Sequence, residues 1–373
     1  MKPLKILFVS HDASRTGAPI ILLNICKWLK ENGDIQFEIL LLGRGALMAD
    51  FKKVGKTYLL DLKGRNKENL YSKVKNELVR SYLNFRKFDL VYINTVASVS
   101  VLPLISAIND VPKILHVHEL SISIKQYCNE MLFNEYAGKI DKFIAASDAV
   151  KQNLIKSYNL SEGKIELIYE PINLSEIENS AVGSLKEVLG LSSDAFVVGG
   201  SGTRDWRKGF DLFLMAPSFI NNKNIHFVWV GGRSSGLELA KINYDLERLG
   251  LSGRVHLIEV VDNPMAFYKE FDLFFLSSRE DPFPLVCLEN AACGNPIVCF
   301  NDSGGMPEFV KRGAGKVIPY GDFNNLNECV SQYYSCTSML ADDGRRAQEL
   351  VQTYDIHEFI KSLKNVLDDH TKT

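Results

Sequence analysis

Asp281 and Glu289 stand eight positions apart in the run Ser277-Ser278-Arg279-Glu280-Asp281-Pro282-Phe283-Pro284-Leu285-Val286-Cys287-Leu288-Glu289. Ionised carboxylates accept hydrogen bonds from hydroxyl groups. The apolar residues 271–276 read as a strand running into this segment, and the helix formers of 285–292 follow Pro284. A strand, loop and helix in that order aim first-turn backbone N–H groups at the loop, where they favour an anion. A ligand carrying phosphate and several hydroxyls, such as a nucleotide sugar, meets both demands.

Other strand ends carry further chemistry. The run His11-Asp12-Ala13-Ser14-Arg15-Thr16-Gly17-Ala18-Pro19 leads from a first strand into a helix, and Gly17 lies where backbone can approach a ligand. It matches neither a GxGxxG fingerprint nor a Walker sequence, and a tight turn is the alternative reading of the glycine. His116-Val117-His118-Glu119 closes another strand, and His118, the last of the pair, is placed to reach a crevice and hydrogen-bond a hydroxyl. A metal pair and a structural pair are the alternatives, with no third ligand at recognisable spacing. Arg204, Arg207 and Lys208 follow the glycines 199, 200 and 202, where cations can neutralise a diphosphate and the charge that gathers on it as a bond to it breaks. The loop 301–308 follows the strand 296–300, at the strand end beside the Asp281 loop.

The elements that hold these loops alternate in the α/β manner. Strands are expected at 5–10, 37–42, 90–93, 113–117 and 142–146, with a helix at 19–29, and again at 196–199, 226–230, 255–258, 271–276, 296–300 and 315–318. This predicts two doubly wound, Rossmann-like domains with a cleft, in a chain of 373 residues that is long for one core. The expected division is 1–175, 190–350 and a C-terminal helix in 351–373 that packs locally or returns to the first domain.

Composition narrows the class. A net charge of −2 argues against a nucleic-acid partner, and seven cysteines without CxxC spacing argue against disulfides and zinc. No apolar run approaches the length of a membrane span, and the first ten residues read as a strand, so the expected location is cytoplasmic. Residues 63–87 stand apart, with Lys63, Arg65, Lys67, Lys73, Lys75, Arg80, Arg86 and Lys87 against Glu68 and Glu77, a local charge of +6. Such a stretch suits an anionic membrane surface or an acidic lipid-linked acceptor, or else is a solvated helical face.

Together these residues resemble the retaining, nucleotide-sugar-dependent glycosyltransferases of GT-B architecture, glycosyltransferase family 4, over residues 5–350 and most specifically over 271–308. In that family a Glu-x7-Glu signature contacts the donor, the first carboxylate on the sugar hydroxyls and the second on the ribose. Asp281 and Glu289 fall on those positions, and the aspartate departs from the pattern, which leaves the neighbouring Glu280 as an alternative. By the same resemblance Lys208 matches the diphosphate-binding lysine, with Arg207 as partner and Arg204 as second choice. Gly17 resembles the glycine near the donor phosphate and His118 the histidine facing the donor sugar, while the backbone of Phe283, Pro284, Leu285 and Val286 lies near the phosphates and ribose. The resemblance implies a GT-B fold with an acceptor-side first domain and a donor-binding second domain. It also implies transfer of a sugar from a nucleoside diphosphate sugar to a hydroxyl of a glycan or lipid-linked acceptor, in cell-surface polysaccharide assembly and without a metal, and the sequence shows no Asp-x-Asp motif. A nucleotide-sugar epimerase or hydrolase, and a non-catalytic sugar-nucleotide-binding subunit, are the competing readings on the same scaffold.

Overall fold

The computed structural model describes residues 3–33, 35–62, 70–105, 108 and 110–369, and the side chains of 70–72 are not described. Lys63, Arg65, Lys67 and Glu68 of the basic stretch lie outside these residues. The chain divides into two compact units, one of residues 1–171 with 356–373 and one of residues 172–355.

In the first unit the apolar runs become β1 (Lys5–Ser10), β2 (Gln36–Leu41), β3 (Lys56–Leu59), β4 (Leu90–Asn94), β5 (Lys113–Val117), β6 (Lys142–Ala145) and β7 (Ile165–Leu167). They form one parallel sheet in the order β3-β2-β1-β4-β5-β6-β7. Parallel strands are covered on both faces, which is why β1 and β4 read as continuous apolar runs, and Leu7, Val9, Val91, Ile93, Leu115 and Phe143 sit in one buried core. The short strands β3 and β7 have no counterpart among the sequence expectations. Helix α1 (Gly17–Asn32) turns Ile21, Leu22, Ile25 and Leu29 inward, and Gly33 in a left-handed conformation ends it. Helix α2 (Leu70–Asn84) precedes β4.

The second unit repeats the plan with β8 (Phe196–Ser201), β9 (Ile225–Val230), β10 (Val255–Ile258), β11 (Leu273–Leu276), β12 (Ile297–Phe300) and β13 (Gly315–Ile318). All pairings are parallel, in the order β10-β9-β8-β11-β12-β13. Phe213, Phe227, Trp229, Phe275 and Phe300 fill its core, and helix α3 (Leu285–Ala292) follows β11.

The last helix, α4 (Ile356–Asp369), belongs to the first unit. Its apolar positions Ile356, Phe359, Ile360, Leu363, Val366 and Leu367 recur at helical spacing and are all buried, each contributing about 1.5–3 kcal/mol of hydrophobic stabilisation as an upper bound. Trp28 of α1 donates its indole N–H to His357 Nδ1 at 3.0 Å.

Each sheet reverses its winding once, between β1 and β4 in the first unit and between β8 and β11 in the second. Loops leaving the carboxyl ends of two strands that wind in opposite directions diverge and leave a crevice, the usual ligand position in open α/β sheets. The segments after β1, β4, β8 and β11 therefore flank these crevices.

Candidate active site

In the second unit the loops after β8 and β11 are knitted together by backbone. Arg279 N–H donates to Arg207 O at 2.8 Å, and Ser277 Oγ donates to Lys208 O at 3.2 Å. Gly209, at φ +63°, ends the first loop, and a Cβ there would lie 1.9 Å from Ser277 O, so no other residue fits without moving the loop. The loop after β12 closes on the same place. Asp281 N–H donates to Ser303 O at 2.7 Å and Gly305 N–H to Pro282 O at 2.9 Å. Gly304 has φ +135°, and a Cβ there would lie 1.7 Å from Asp281 O.

This packing brings three of the expected residues together. Lys208 Nζ lies 2.6 Å from Asp281 Oδ2, Arg207 Nη1 lies 3.5 Å from Asp281 Oδ1, and Ser278 Oγ donates to Oδ2 at 3.0 Å. Burial alone raises the Asp281 carboxyl, but the charges of Lys208 and Arg207 and the hydrogen bonds from Lys208 and Ser278 outweigh it and hold the pKa below the ordinary carboxylate value. The buried Asp281 is the carboxylate that meets Lys208, while Glu280 lends its carbonyl oxygen to Arg207 at 3.0 Å. Two cations on one carboxylate leave an excess of positive charge, which suits a diphosphate.

Glu289 lies on α3, half-buried, with Cys287, Leu288, Asn290 and Ala291 beside it in the interior. Its carboxylate makes no hydrogen bond or ion pair among the described residues. Burial and the Glu176 charge push its pKa up to about 7, with Lys208 opposing. Pro284 precedes α3 without a side-chain cap, so the first-turn N–H groups of Leu285 and Val286 keep their affinity for an anion. Phe283 is anchored inward, its ring 5.3 Å from that of Tyr354, which fixes the backbone entering α3.

Arg204 points elsewhere. It donates through Nε to Gly231 O at 3.1 Å, through Nη1 to Ser234 Oγ at 3.0 Å and through Nη2 to Ile258 O at 3.2 Å. The guanidinium ties the ends of β9 and β10 together and is not part of the cluster on Asp281.

The first unit gathers a second group at its own switch point. His118 follows β5, with Nδ1 2.9 Å from Glu170 Oε1 and Nε2 2.9 Å from Asn94 Oδ1. Asn94 ends β4 and donates through Nδ2 to Ala18 O at 2.9 Å, which links His118 to the start of α1 beside Gly17. A Cβ on Gly17 would have nothing of the protein within 4 Å, so packing gives no reason for glycine there. Thr95 has φ +73°, unusual for a β-branched residue and costing about 1–3 kcal/mol. It is held there by its N–H on His116 O at 2.8 Å and by its hydroxyl on the buried Glu119. The ring of His116 is fully buried, with Nδ1 2.6 Å from Tyr92 Oη, so only the second histidine of the pair joins this group.

Asn94, Glu170 and Ser278 are absent from the sequence expectations. A polar residue directly after the apolar strand 90–93 was the available signal for Asn94. Glu170 has no such local signal, because the stretch 165–172 also carries Glu166. Among the described residues no group of three or more His, Cys, Asp or Glu is arranged to hold a metal ion.

Residues 16–176 match the family model described as Glycosyltransferase Family 4, and residues 183–350 match that of the Glycosyl transferases group 1. The D-inositol 3-phosphate glycosyltransferase 2 of Catenulispora acidiphila is 26% identical over 220 residues, 56% of this chain and 51% of that protein. The capsular polysaccharide biosynthesis glycosyltransferase CapM of Staphylococcus aureus is 23% identical over 215 residues, 56% of each. The chain thus spans about half the length of the curated relatives it matches. Among solved structures, Anabaena HepE in complex with UDP-glucose superposes with a TM-score of 0.81 at 21% identity, over 98% of this chain and 100% of that one. A glycosyltransferase from Rickettsia africae gives 0.81 at 17% identity over the whole of both chains. Two Rossmann-like units, one matching each model, make this chain a GT-B-fold protein related to glycosyltransferase family 4 through its first unit and to the group 1 glycosyl transferases through its second.

Proposed function

We propose that this protein is a retaining glycosyltransferase that moves a sugar from a nucleoside diphosphate sugar to a hydroxyl acceptor. The observation that carries this reading is the Lys208, Arg207 and Asp281 cluster beside the Glu289 carboxylate, which has no hydrogen bond or ion pair among the described residues, and the uncapped start of α3, all at one switch point. Lys208 and Arg207 hold the diphosphate, Glu289 accepts from the ribose hydroxyls, and Asp281 fixes Lys208 and offers its remaining acceptor capacity to the sugar. The second unit is proposed as the donor domain and the first as the acceptor side, with His118 and Gly17 as its ligand-facing residues.

In the reaction the bond from the anomeric carbon to the diphosphate oxygen breaks, and a bond from that carbon to the acceptor oxygen forms on the same face. The acceptor proton passes to the departing phosphate oxygen. Negative charge grows on the diphosphate as this happens, so Lys208 and Arg207 bind the transition state more tightly than the ground state; loss of one such donor costs about 100- to 1,000-fold in kcat.

HepE was crystallised with UDP-glucose and CapM is named for capsular polysaccharide biosynthesis, which makes uridine diphosphate sugars the first donors to test and a glycan or lipid-linked glycan the acceptor class. The test is release of nucleoside diphosphate from a donor panel, with and without a membrane extract. Acceptor-dependent release supports transfer; release that ignores the extract points to a hydrolase, and donor binding without turnover to a non-catalytic subunit.

A second reading concerns location. Helix α2 carries Lys73 and Lys75 on the surface, with Val74 51% and Leu78 65% exposed, and Phe85 just beyond it is 88% exposed. Apolar side chains interleaved with lysines suit the interface of an anionic bilayer, which supports the reading of a cytoplasmic protein held against the inner face of the membrane. No helix among the described residues is long and apolar enough to cross a membrane. Co-sedimentation with anionic vesicles tests this attachment.

A further inference from the structure

We infer that Glu170, together with Asn94, is a positioning residue that holds His118 with an N–H on both ring nitrogens, so that the ring serves as an oriented donor and not as a base. The inference rests on the transferase reading above only for its consequence, not for its geometry.

The orientation of the Asn94 amide settles one nitrogen. Asn94 Nδ2 donates to Ala18 O at 2.9 Å, and the reversed amide would press its oxygen against that carbonyl. Oδ1 therefore faces His118, and Nε2, 2.9 Å away, must donate to it. The other nitrogen, Nδ1, faces the Glu170 carboxylate at 2.9 Å, with the two side chains only 6% and 7% exposed. A carboxylate accepts, so Nδ1 also carries a proton and the contact is a charge-assisted hydrogen bond.

The remaining groups around the ring agree with this. Glu119 Oε2 accepts the backbone N–H of His118 at 2.9 Å. Burial raises the Glu119 carboxyl, with the His118 charge and the hydrogen bonds from Thr95, Val96 and His118 pulling the other way. The His116 ring lies 3.9 Å from that of His118, and burial, with the charge of His118, pushes it well below the usual histidine value, so it stays neutral. Burial likewise raises the Tyr92 phenol that meets His116, so it stays protonated. Of the groups around the ring, the Glu170 carboxylate is the one that faces His118 Nδ1 directly.

A ring with both nitrogens donating has no lone pair left for the proton of an acceptor hydroxyl. In the transfer reaction that proton must go to the departing phosphate, and His118 contributes charge and position. Glu170 acts through His118 and needs no contact with substrate.

The experiment is nitrogen NMR of the full-length protein labelled with 15N-histidine, with His118→Asn to assign the ring and Glu170→Gln, Glu170→Asp and Glu170→Ala for comparison. The wild-type ring should show two protonated nitrogens at neutral pH. Glu170→Gln, equal in shape and uncharged, should lose the second ring proton at lower alkalinity, and Glu170→Asp should restore part of the effect. With a turned-over donor, Glu170→Gln should lower kcat by about tenfold or more and change KM less, the effect of losing one charge-assisted hydrogen bond. A single protonated nitrogen in the wild-type ring at neutral pH, or a ring titration that Glu170→Gln leaves unmoved, overturns the inference. Two protonated nitrogens in a protein that turns over no donor would leave the positioning role standing and remove the transferase reading instead.

Discussion

Lys208 Nζ lies 2.6 Å from Asp281 Oδ2, so the cation assigned to the donor diphosphate is held by a buried carboxylate 73 residues away in sequence. Replacing Lys208 by alanine therefore does more than remove a ligand contact. It leaves Asp281 buried with Arg207 and Ser278 alone to compensate it, and breaking such pairs costs about 3–5 kcal/mol. We expect Lys208→Ala to lose both transfer and stability, and the double variant Lys208→Ala with Asp281→Asn to recover most of the stability and none of the transfer. Urea unfolding of the four proteins of the cycle reads this directly, and additive losses would show that the pair is not coupled. Because the Asp281 pKa is depressed, its stabilising contribution is present above the unfolded value of about 3.9 and fades as pH falls through the lower native value.

Glu289 titrates in the opposite sense. Its native pKa is raised to about 7 by burial and Glu176, so the native state prefers the protonated form. The stability it contributes is complete below the unfolded value of about 4.3 and is lost as pH rises through 7. Glu289→Gln should remove that loss, leaving a protein about 1–3 kcal/mol more stable than wild type at pH 8 and little different at pH 4. Donor binding should run the other way, since only the carboxylate accepts from two ribose hydroxyls. Affinity for a nucleotide sugar, whose phosphates do not titrate in this range, should increase from pH 6 to 8 in the wild type and stay flat in Glu289→Gln. Calorimetric titration at three pH values decides it, and parallel pH profiles would remove Glu289 from the donor site.

Much of this arrangement is legible in the sequence because parallel strands are apolar on both faces and end abruptly. The runs at 5–10, 113–117 and 226–230 coincide with β1, β5 and β9 to within a residue, and the glycines and charges that follow β8 mark the ligand loops. The strands without a sequence signal are the outermost two of the first sheet. Lys56–Leu59 opens on a lysine and a threonine, and Ile165–Leu167 has three residues with a glutamate at the centre. Glu170 escaped for a different reason. Its value lies in a contact with His118, 52 residues earlier, and no local periodicity encodes that. Three cations at 204, 207 and 208 are equivalent by composition, and only the path of the loop separates them.

That separation can be measured. Arg204 spends its donors on two backbone carbonyls and Ser234, so Arg204→Ala should cost about 1–3 kcal/mol of stability through acceptors left unpaired, with donor affinity changed less than twofold at a temperature where the variant is folded. Arg207 reaches Asp281 and the Glu280 carbonyl. Arg207→Ala should keep its stability within about 1 kcal/mol and lose transfer by about 100-fold. Melting temperatures paired with kcat for the two variants test the assignment, and the reverse pattern would exchange their roles.

The membrane reading rests on position as much as on charge. Along α2 the buried side chains Asn76 and Leu83 define the inner face, while Val74 and Leu78 face outward with Lys73 and Lys75 beside them, and Phe85 continues that stripe. Arg80 pairs with Glu77 and Arg86 with the buried Glu38, so two of the basic residues are engaged within the protein. The described cations alone therefore make a modest attraction, about 1 kcal/mol each near an anionic surface, which salt screens. Insertion of Leu78 and Phe85 adds about 1.5–3 kcal/mol each, which salt does not screen. Leu78→Glu with Phe85→Ser should thus lower partitioning onto phosphatidylserine-containing vesicles by more than about tenfold at high salt, whereas Lys73→Glu with Lys75→Glu should do so mainly at low salt. Both double variants should release nucleoside diphosphate from donor with a soluble acceptor at the wild-type rate. Sedimentation that neither pair alters would show that this face of the first unit is simply solvated.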